Sequence, residues 1–166
     1  TVGRQPRSSR AGRGSNQFAY DVERLGLQQF CRHVASTPEV LDYYSAMDVF
    51  ALSSREDPFP LVMLEAGVRG VPTVCFSDSG GGSEFVSEQA GIDVPYLDVA
   101  AFAQTLRQLA TDADHLHRLA TAAQRKVRLG HTVERQLPKL MVSIDKSIES
   151  AQQDRFAVTK AVMRRV

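Results

Sequence analysis

Long apolar runs are missing from this sequence. None approaches the roughly 18 to 20 residues that a bilayer-spanning helix needs. The opening stretch TVGRQPRSSRAGRGS also lacks the apolar core of a signal peptide. Charge of one sign is lacking too. The formal net charge is +1 over 166 residues, which excludes a global electrostatic pull toward nucleic acid or membrane. Cysteine is scarce: Cys31 and Cys75 lie far apart in segments that read as buried strands. They fit two inert core thiols in a reducing compartment better than one disulfide. Histidine shows no metal-ligand spacing, since His115 and His117 sit two apart on an expected helix and face different ways. These absences predict a soluble, cytoplasmic chain without a metal. Membrane contact is peripheral at most, through the basic end KAVMRR. Acids interleave with the bases there and argue for ordinary solvated surface rather than a nucleic-acid face.

Hydrophobic content of 43% and charged content of 23% are those of a globular domain with a proper core. Residues 1–16, with Arg4, Arg7, Arg10 and Arg13 among Gly and Ser, read as a flexible segment. From 17 to 130 the pattern alternates. FAYDVERLGL reads as helix, QFCRHV as strand, PEVLDYYSAM as helix and DVFALS as a short strand. A helix starting near Pro58 follows, and then the strands VPTVCF and GIDVPY. Beyond them VAAFAQTLRQLA and DADHLHRLATAAQRKVRL carry apolar residues at helical spacing. Residues 131–166 read as C-terminal helices that Pro138 kinks or interrupts. Continuous apolar strands alternating with helices imply an α/β fold, a doubly wound parallel sheet covered on both faces.

The stretch SSREDPFPLVMLEAGVRGVP poses the functional question. In a parallel α/β sheet, ligands bind where strands end and loops lead into helices. SSREDP and SDSGGGSE are the two most polar such junctions, and they line one crevice if their strands are neighbours. Asp57 followed by Pro58 reads as N-cap and first helical residue. Glu65 allows two readings. One is an ion pair with Arg69 four residues on, worth a few tenths of a kcal/mol. The other is a ligand contact, because Leu61, Val62, Leu64, Ala66 and Val68 leave this carboxylate little polar face and a buried carboxylate without a partner is costly. With the helix counted from Asp57, the two acids stand roughly 12 Å apart at about 1.5 Å per residue. Free amides between them form an anion site. That layout suits a phosphate flanked by two hydroxyl-bearing parts, which is the form of a nucleoside diphosphate sugar. A dinucleotide-binding oxidoreductase fits poorly, since SDSGGGSE does not provide Gly-x-Gly-x-x-Gly.

SREDPFPLVMLEAGVRGVPTVCF, with GGGSEFV and GIDVPYLDV after it, resembles the C-terminal half of a retaining glycosyltransferase of the GT-B fold, in the group called glycosyl transferases group 1. The family signature is a carboxylate, seven residues and a glutamate, then a run into GxP. It is met by Asp57, Glu65 and Gly70 to Pro72, and a glycine pair with a following glutamate by Gly80, Gly81 and Glu84. The resemblance implies transfer of a sugar from a nucleotide diphosphate sugar with retention, needing no cofactor beyond that substrate. Catalytic roles fall to Asp57, on hydroxyls of the transferred sugar, and Glu65, on the ribose. Amides from Phe59 to Val62, Leu61 and Val62 above all, approach the diphosphate. Gly80 and Gly81 allow close packing there, with Glu84 in the same donor-binding set. The loop near Ala35 to Thr37 is where such domains meet the base. Two departures stand out: Asp57 where Glu is commoner, and Pro60 where Gly is frequent, so that no N–H is offered there. The usual Arg and Lys of an earlier loop and an N-terminal acceptor domain are expected to lie outside this chain, which opens at Thr1 rather than Met. A fragment of that kind is expected to be inactive alone. A non-catalytic nucleotide-sugar-binding or interaction module of the same fold is the alternative.

Overall fold

Strand β2, Thr73–Phe76, is buried at all four positions and sits in the middle of a three-stranded parallel sheet. The structure is a computed structural model that describes residues 13–87 and 89–163, with side chains over 17–87 and 89–152. The chain divides after Pro38 into two units.

The first unit holds α1, Arg13–Arg24, which begins upstream of the expected start at Phe18. Gly26 at φ +66 follows it. QFCRHV was expected as a strand and is not one. The Phe30 and Cys31 amides both donate to Leu27 O, at 2.9 and 3.0 Å. Those turn bonds use the donors a ladder would need. Ala35 to Thr37 run without regular structure, and Arg4, Arg7 and Arg10 lie outside the described residues.

In the second unit the order is α2 (Val40–Ser45), β1 (Phe50–Leu52), α3 (Leu61–Val68), β2, α4 (Gly82–Val86) and β3 (Gly91–Val94). Then come α5 (Val99–Thr111), α6 (Ala113–Gly130) and α7 (Val133–Met163). The strands pair in the order β1-β2-β3, with Phe50 opposite Thr73 and Thr73 opposite Gly91. Because side chains alternate across a strand, β2 feeds two cores. Cys75 packs with Leu52, Met63, Phe85, Val86 and Val127, beneath α3, α4 and the end of α6. Val74 and Phe76 pack on the other face with Val94 of β3, Phe102 and Leu109 of α5, and Leu119 of α6. Each large side chain so buried contributes about 1.5–3 kcal/mol.

Aspartates start two of the C-terminal helices. Asp98 accepts from the Ala101 amide at 2.9 Å and Asp112 from the His115 amide at 2.8 Å, each cap being worth about 1 kcal/mol. Pro138 lies inside α7, and the helix runs on through it. Arg164 and Arg165 of the basic end lie outside the described residues. Both cysteines are free; Cys75 is buried, and burial pushes its thiol up to about 11, with Asp93 adding to the shift. No described helix is long and apolar enough to cross a membrane.

Candidate functional site

β1 and β2 run parallel as neighbours, so the loops leaving their C-terminal ends emerge side by side. The loops then continue the ladder. Asp57 and Gly80 form an isolated parallel bridge, and the Asp57 amide donates to Ser79 O at 2.8 Å. The Gly81 amide donates to Pro58 O at 2.9 Å and to Asp57 O at 3.3 Å. Glycine is required by contact as well as conformation: Gly80 has φ +120, and a Cβ on it would lie 1.8 Å from Asp57 O. Beside this seam is a cleft of about 360 Å³ lined by Arg55, Glu56, Asp57, Asp78, Gly80 and Tyr96. The Tyr96 hydroxyl donates to Arg55 O at 3.2 Å and ties the loop to the chain after β3.

Asp57 is therefore not the helix cap that Asp-Pro implied. α3 begins at Leu61, and the cap position belongs to Pro60, extended at φ −68, ψ 111, with no side-chain bond. Bonding to the glycine loop takes Asp57 out of the helix, and the 12 Å spacing counted along a helix from Asp57 falls with it. Glu65 instead stands on the second turn, four residues past Leu61. The amides of Leu61 and Val62 have no partner within the helix, as at any helix start. Leu61 is 66% exposed. Val62 is half-buried and packs against the core beneath α3.

Glu65 is half-buried, and neither sequence reading foresaw its partner. The Tyr44 hydroxyl of α2 donates to its Oε2 at 3.1 Å. Tyr44 is only 4% exposed and meets Phe50 edge-on at 5.9 Å. Burial, then the bond to Glu65 and its charge, raise the Tyr44 phenol above 10.0. The folded pKa exceeds the unfolded one, so this contribution is complete below pH 10 and is lost as pH rises through the raised value. Tyr44→Phe is expected to cost about 0.5–1.5 kcal/mol at neutral pH and to flatten the loss of stability above pH 10. Urea titrations of both proteins at pH 7 and above pH 10 check both effects.

The remaining expected site residues sit elsewhere. Phe59, Leu61 and Glu84 line a second cleft, of about 620 Å³, together with His131 and Lys139. Glu84 is exposed on α4 and does not line the cleft at Asp57. The structure thus joins Asp57 to Gly80, and Phe59 to Glu84, while Glu65 faces Tyr44.

Comparison with known proteins gives the family and the fold. The profile of the family described as "Glycosyl transferases group 1" matches residues 3–126. The chain belongs to that family. Within it, the chain is 32% identical over 122 residues to the glycogen synthase of Mycobacterium tuberculosis, covering 70% of this chain and 29% of that protein. It is 34% identical over 95 residues to the D-inositol 3-phosphate glycosyltransferase of Corynebacterium urealyticum, covering 56% of this chain and 22% of that protein. Sucrose-phosphate synthase from Thermosynechococcus elongatus superposes with a TM-score of 0.73 at 25% identity, over 90% of this chain and 37% of that one. Anabaena HepE, solved with UDP-glucose, shares the fold at a TM-score of 0.71 and 22% identity, over 80% of this chain and 38% of that one. The fold is that of a GT-B glycosyltransferase domain, and the chain spans less than two fifths of each of these four proteins.

Proposed function

We infer that this chain is the donor-binding part of a retaining glycosyltransferase. In the reaction, the bond between the sugar's anomeric carbon and the diphosphate oxygen breaks. A bond to an acceptor oxygen forms on the same face, the acceptor hydroxyl loses its proton, and a nucleoside diphosphate leaves. The observation that carries the reading is the seam of Asp57 with Gly80, which sets a carboxylate and a glycine loop at the C-terminal edge of the sheet just ahead of α3.

Charge apportions the donor. The cleft at the seam carries Glu56, Asp57 and Asp78 against Arg55. It suits uncharged sugar hydroxyls, which carboxylates accept well, and repels phosphoryl oxygens. The diphosphate falls to the free amides of Leu61 and Val62 at the positive end of α3. Glu65 has an oxygen beyond the one that Tyr44 occupies and takes the ribose hydroxyls. The relatives' names include enzymes that make glycogen and sucrose phosphate, and a hexosyl donor is the corresponding substrate class for this chain. The acceptor and the rest of the catalytic machinery belong to the remainder of such an enzyme.

Calorimetric titration with UDP, GDP and ADP tests the reading. One of them is expected to bind saturably, and Glu65→Ala to weaken it about ten- to a hundred-fold, the span of one or two hydrogen bonds to a charged group. Tyr44→Phe, which leaves the carboxylate in place, is the control. Equal affinity for wild type and Glu65→Ala overturns the assignment. The acid-rich lining at Asp57 also favours a second reading, a non-catalytic nucleotide-sugar-binding module, because departure of a diphosphate draws on cations. Glycosyl transfer upon adding back the partner half would exclude it.

A further inference from the structure

His131 ends α6 as its C-cap and donates its amide to Val127 O at 2.9 Å. Its imidazole meets two rings. It stacks on Phe59, centroids 5.9 Å apart at 23°, and meets Phe85 edge-on at 5.9 Å and 72°. Phe85 is fully buried and forms a fixed wall. Phe59 belongs to the loop that carries Asp57, and its ring lies against bare Gly81 backbone: a Cβ on Gly81 would come within 2.4 Å of Phe59 Cδ2. The ring is thus held by a residue 72 positions away in the sequence. Two residues on from Phe59, α3 starts.

We propose that His131 is a positioning residue for the loop Asp57–Pro60: its neutral imidazole keeps Phe59 seated against Gly81, fixing the seam and the start of α3, and protonation loosens that hold. The consequence for donor binding rests on the function inferred above; the hold on the loop does not. The charged groups that face the imidazole are Lys126 of α6, Glu84 of α4 and Lys139 of α7, while the loop contributes the Phe59 ring. Burial first, then Lys126 and Lys139, push its pKa below 6.5, and Glu84 opposes them. A cation over an aromatic face gains some attraction, yet the balance favours the neutral ring. Lys126 is itself anchored, donating to Glu84 O at 2.9 Å and Ser87 O at 3.0 Å. Opening the loop takes the Phe59 ring off the imidazole and relieves part of the burial, the first cause of the depressed pKa, so the opened loop binds protons more readily than the closed one. The hold is complete above pH 6.5 and is lost as pH falls through the lower value.

Amide hydrogen exchange on the full chain, corrected for intrinsic rates, tests this between pH 8 and pH 5. The reporters are the bonded amides of Asp57, Gly81 and Met63, with Val74 and Cys75 of β2 reporting global opening. In wild type the reporters are expected to lose protection about five-fold on acidification, the scale of one aromatic pair. His131→Phe keeps a ring without a titrating group and is expected to stay protected throughout. His131→Ala is expected to be deprotected already at pH 8, with β2 unchanged. Equal protection in wild type and His131→Ala overturns the proposal, as does the same pH dependence in His131→Phe. A parallel UDP titration separates the two readings. A UDP affinity that follows pH in wild type and not in His131→Phe supports both. Exchange that follows His131 while UDP, GDP and ADP all fail to bind upholds the hold and sinks the donor assignment. UDP binding indifferent to His131→Ala, with unaltered reporters, does the reverse.

Discussion

Gly80→Ala is expected to lower the unfolding free energy by roughly 2–4 kcal/mol, the sum of a disallowed backbone region and a steric contact with no soft partner. At φ +120 an L side chain is strained whatever the space, and the space is also filled. The new Cβ would lie 1.8 Å from Asp57 O and 2.7 Å from Asp57 C, both backbone atoms, so relief requires the two loops to separate. Separation would break the hydrogen bonds that the Asp57 and Gly81 amides donate to Ser79 O and Pro58 O. Any ligand gripped across the seam is expected to be lost with them. Gly26→Ala makes the contrast clean. Gly26 is also at positive φ, +66, but nothing lies within 4 Å of its Cβ position, and its cost is expected to be only about 1–2 kcal/mol. Urea denaturation of the two variants decides the matter. Similar costs would mean that the seam contributes nothing beyond backbone strain.

Phe85→Ala is expected to cost about 3–5 kcal/mol, the range for deleting a large buried aromatic side chain. Phe85 is fully buried on a helix of five residues, α4, too short to hold itself together. Its ring packs in the core with Met63, Cys75 and Val127, and its Cζ stands 3.0 Å from where a Cβ on Gly67 would be. Deleting the ring where α3 approaches α4 so closely leaves a void beside the helix that bears Glu65. The midpoint of thermal unfolding should fall by roughly 10 °C in a domain of this size. Phe85→Leu is expected to recover most of the loss. A cost of less than about 1 kcal/mol for Phe85→Ala would show that α4 collapses onto the gap without penalty.

Strands were legible where a short apolar run marked them, most fully in β2, which is buried at all four positions. DVFALS, VPTVCF and GIDVPY became β1, β2 and β3, and a parallel sheet with helices on both faces followed from them. QFCRHV also carries Phe, Cys and Val and is no strand, because a ladder needs a neighbour and the Phe30 and Cys31 donors are spent on the turn at Leu27. α4 went unread, since five residues opening on glycine carry no period. At the site, the residue types were legible and their bonding was not. Asp-Pro is a sound local signal for a cap, yet the glycine loop 22 residues on claims Asp57 through its backbone. Tyr44 and His131 carried no local signal at all. Their partners, Glu65 and Phe59, are 21 and 72 positions away, and such contacts exist only once α2, α3 and α6 are packed.

The sequence by itself determined the α/β class, the parallel strands, the Asp57–Glu65 spacing, the glycine loop and the family, because hydrophobic periodicity and backbone demands are local properties of the chain. Tertiary structure alone decided that Asp57 pairs with Gly80, that α3 starts at Leu61, that Tyr44 rather than Arg69 answers Glu65, and that His131 faces Phe59. Those outcomes are choices between competing hydrogen-bond and packing partners of similar local merit. The choice is settled by which residues the sheet and its covering helices bring within a few ångströms, a distance that spacing along the chain does not encode.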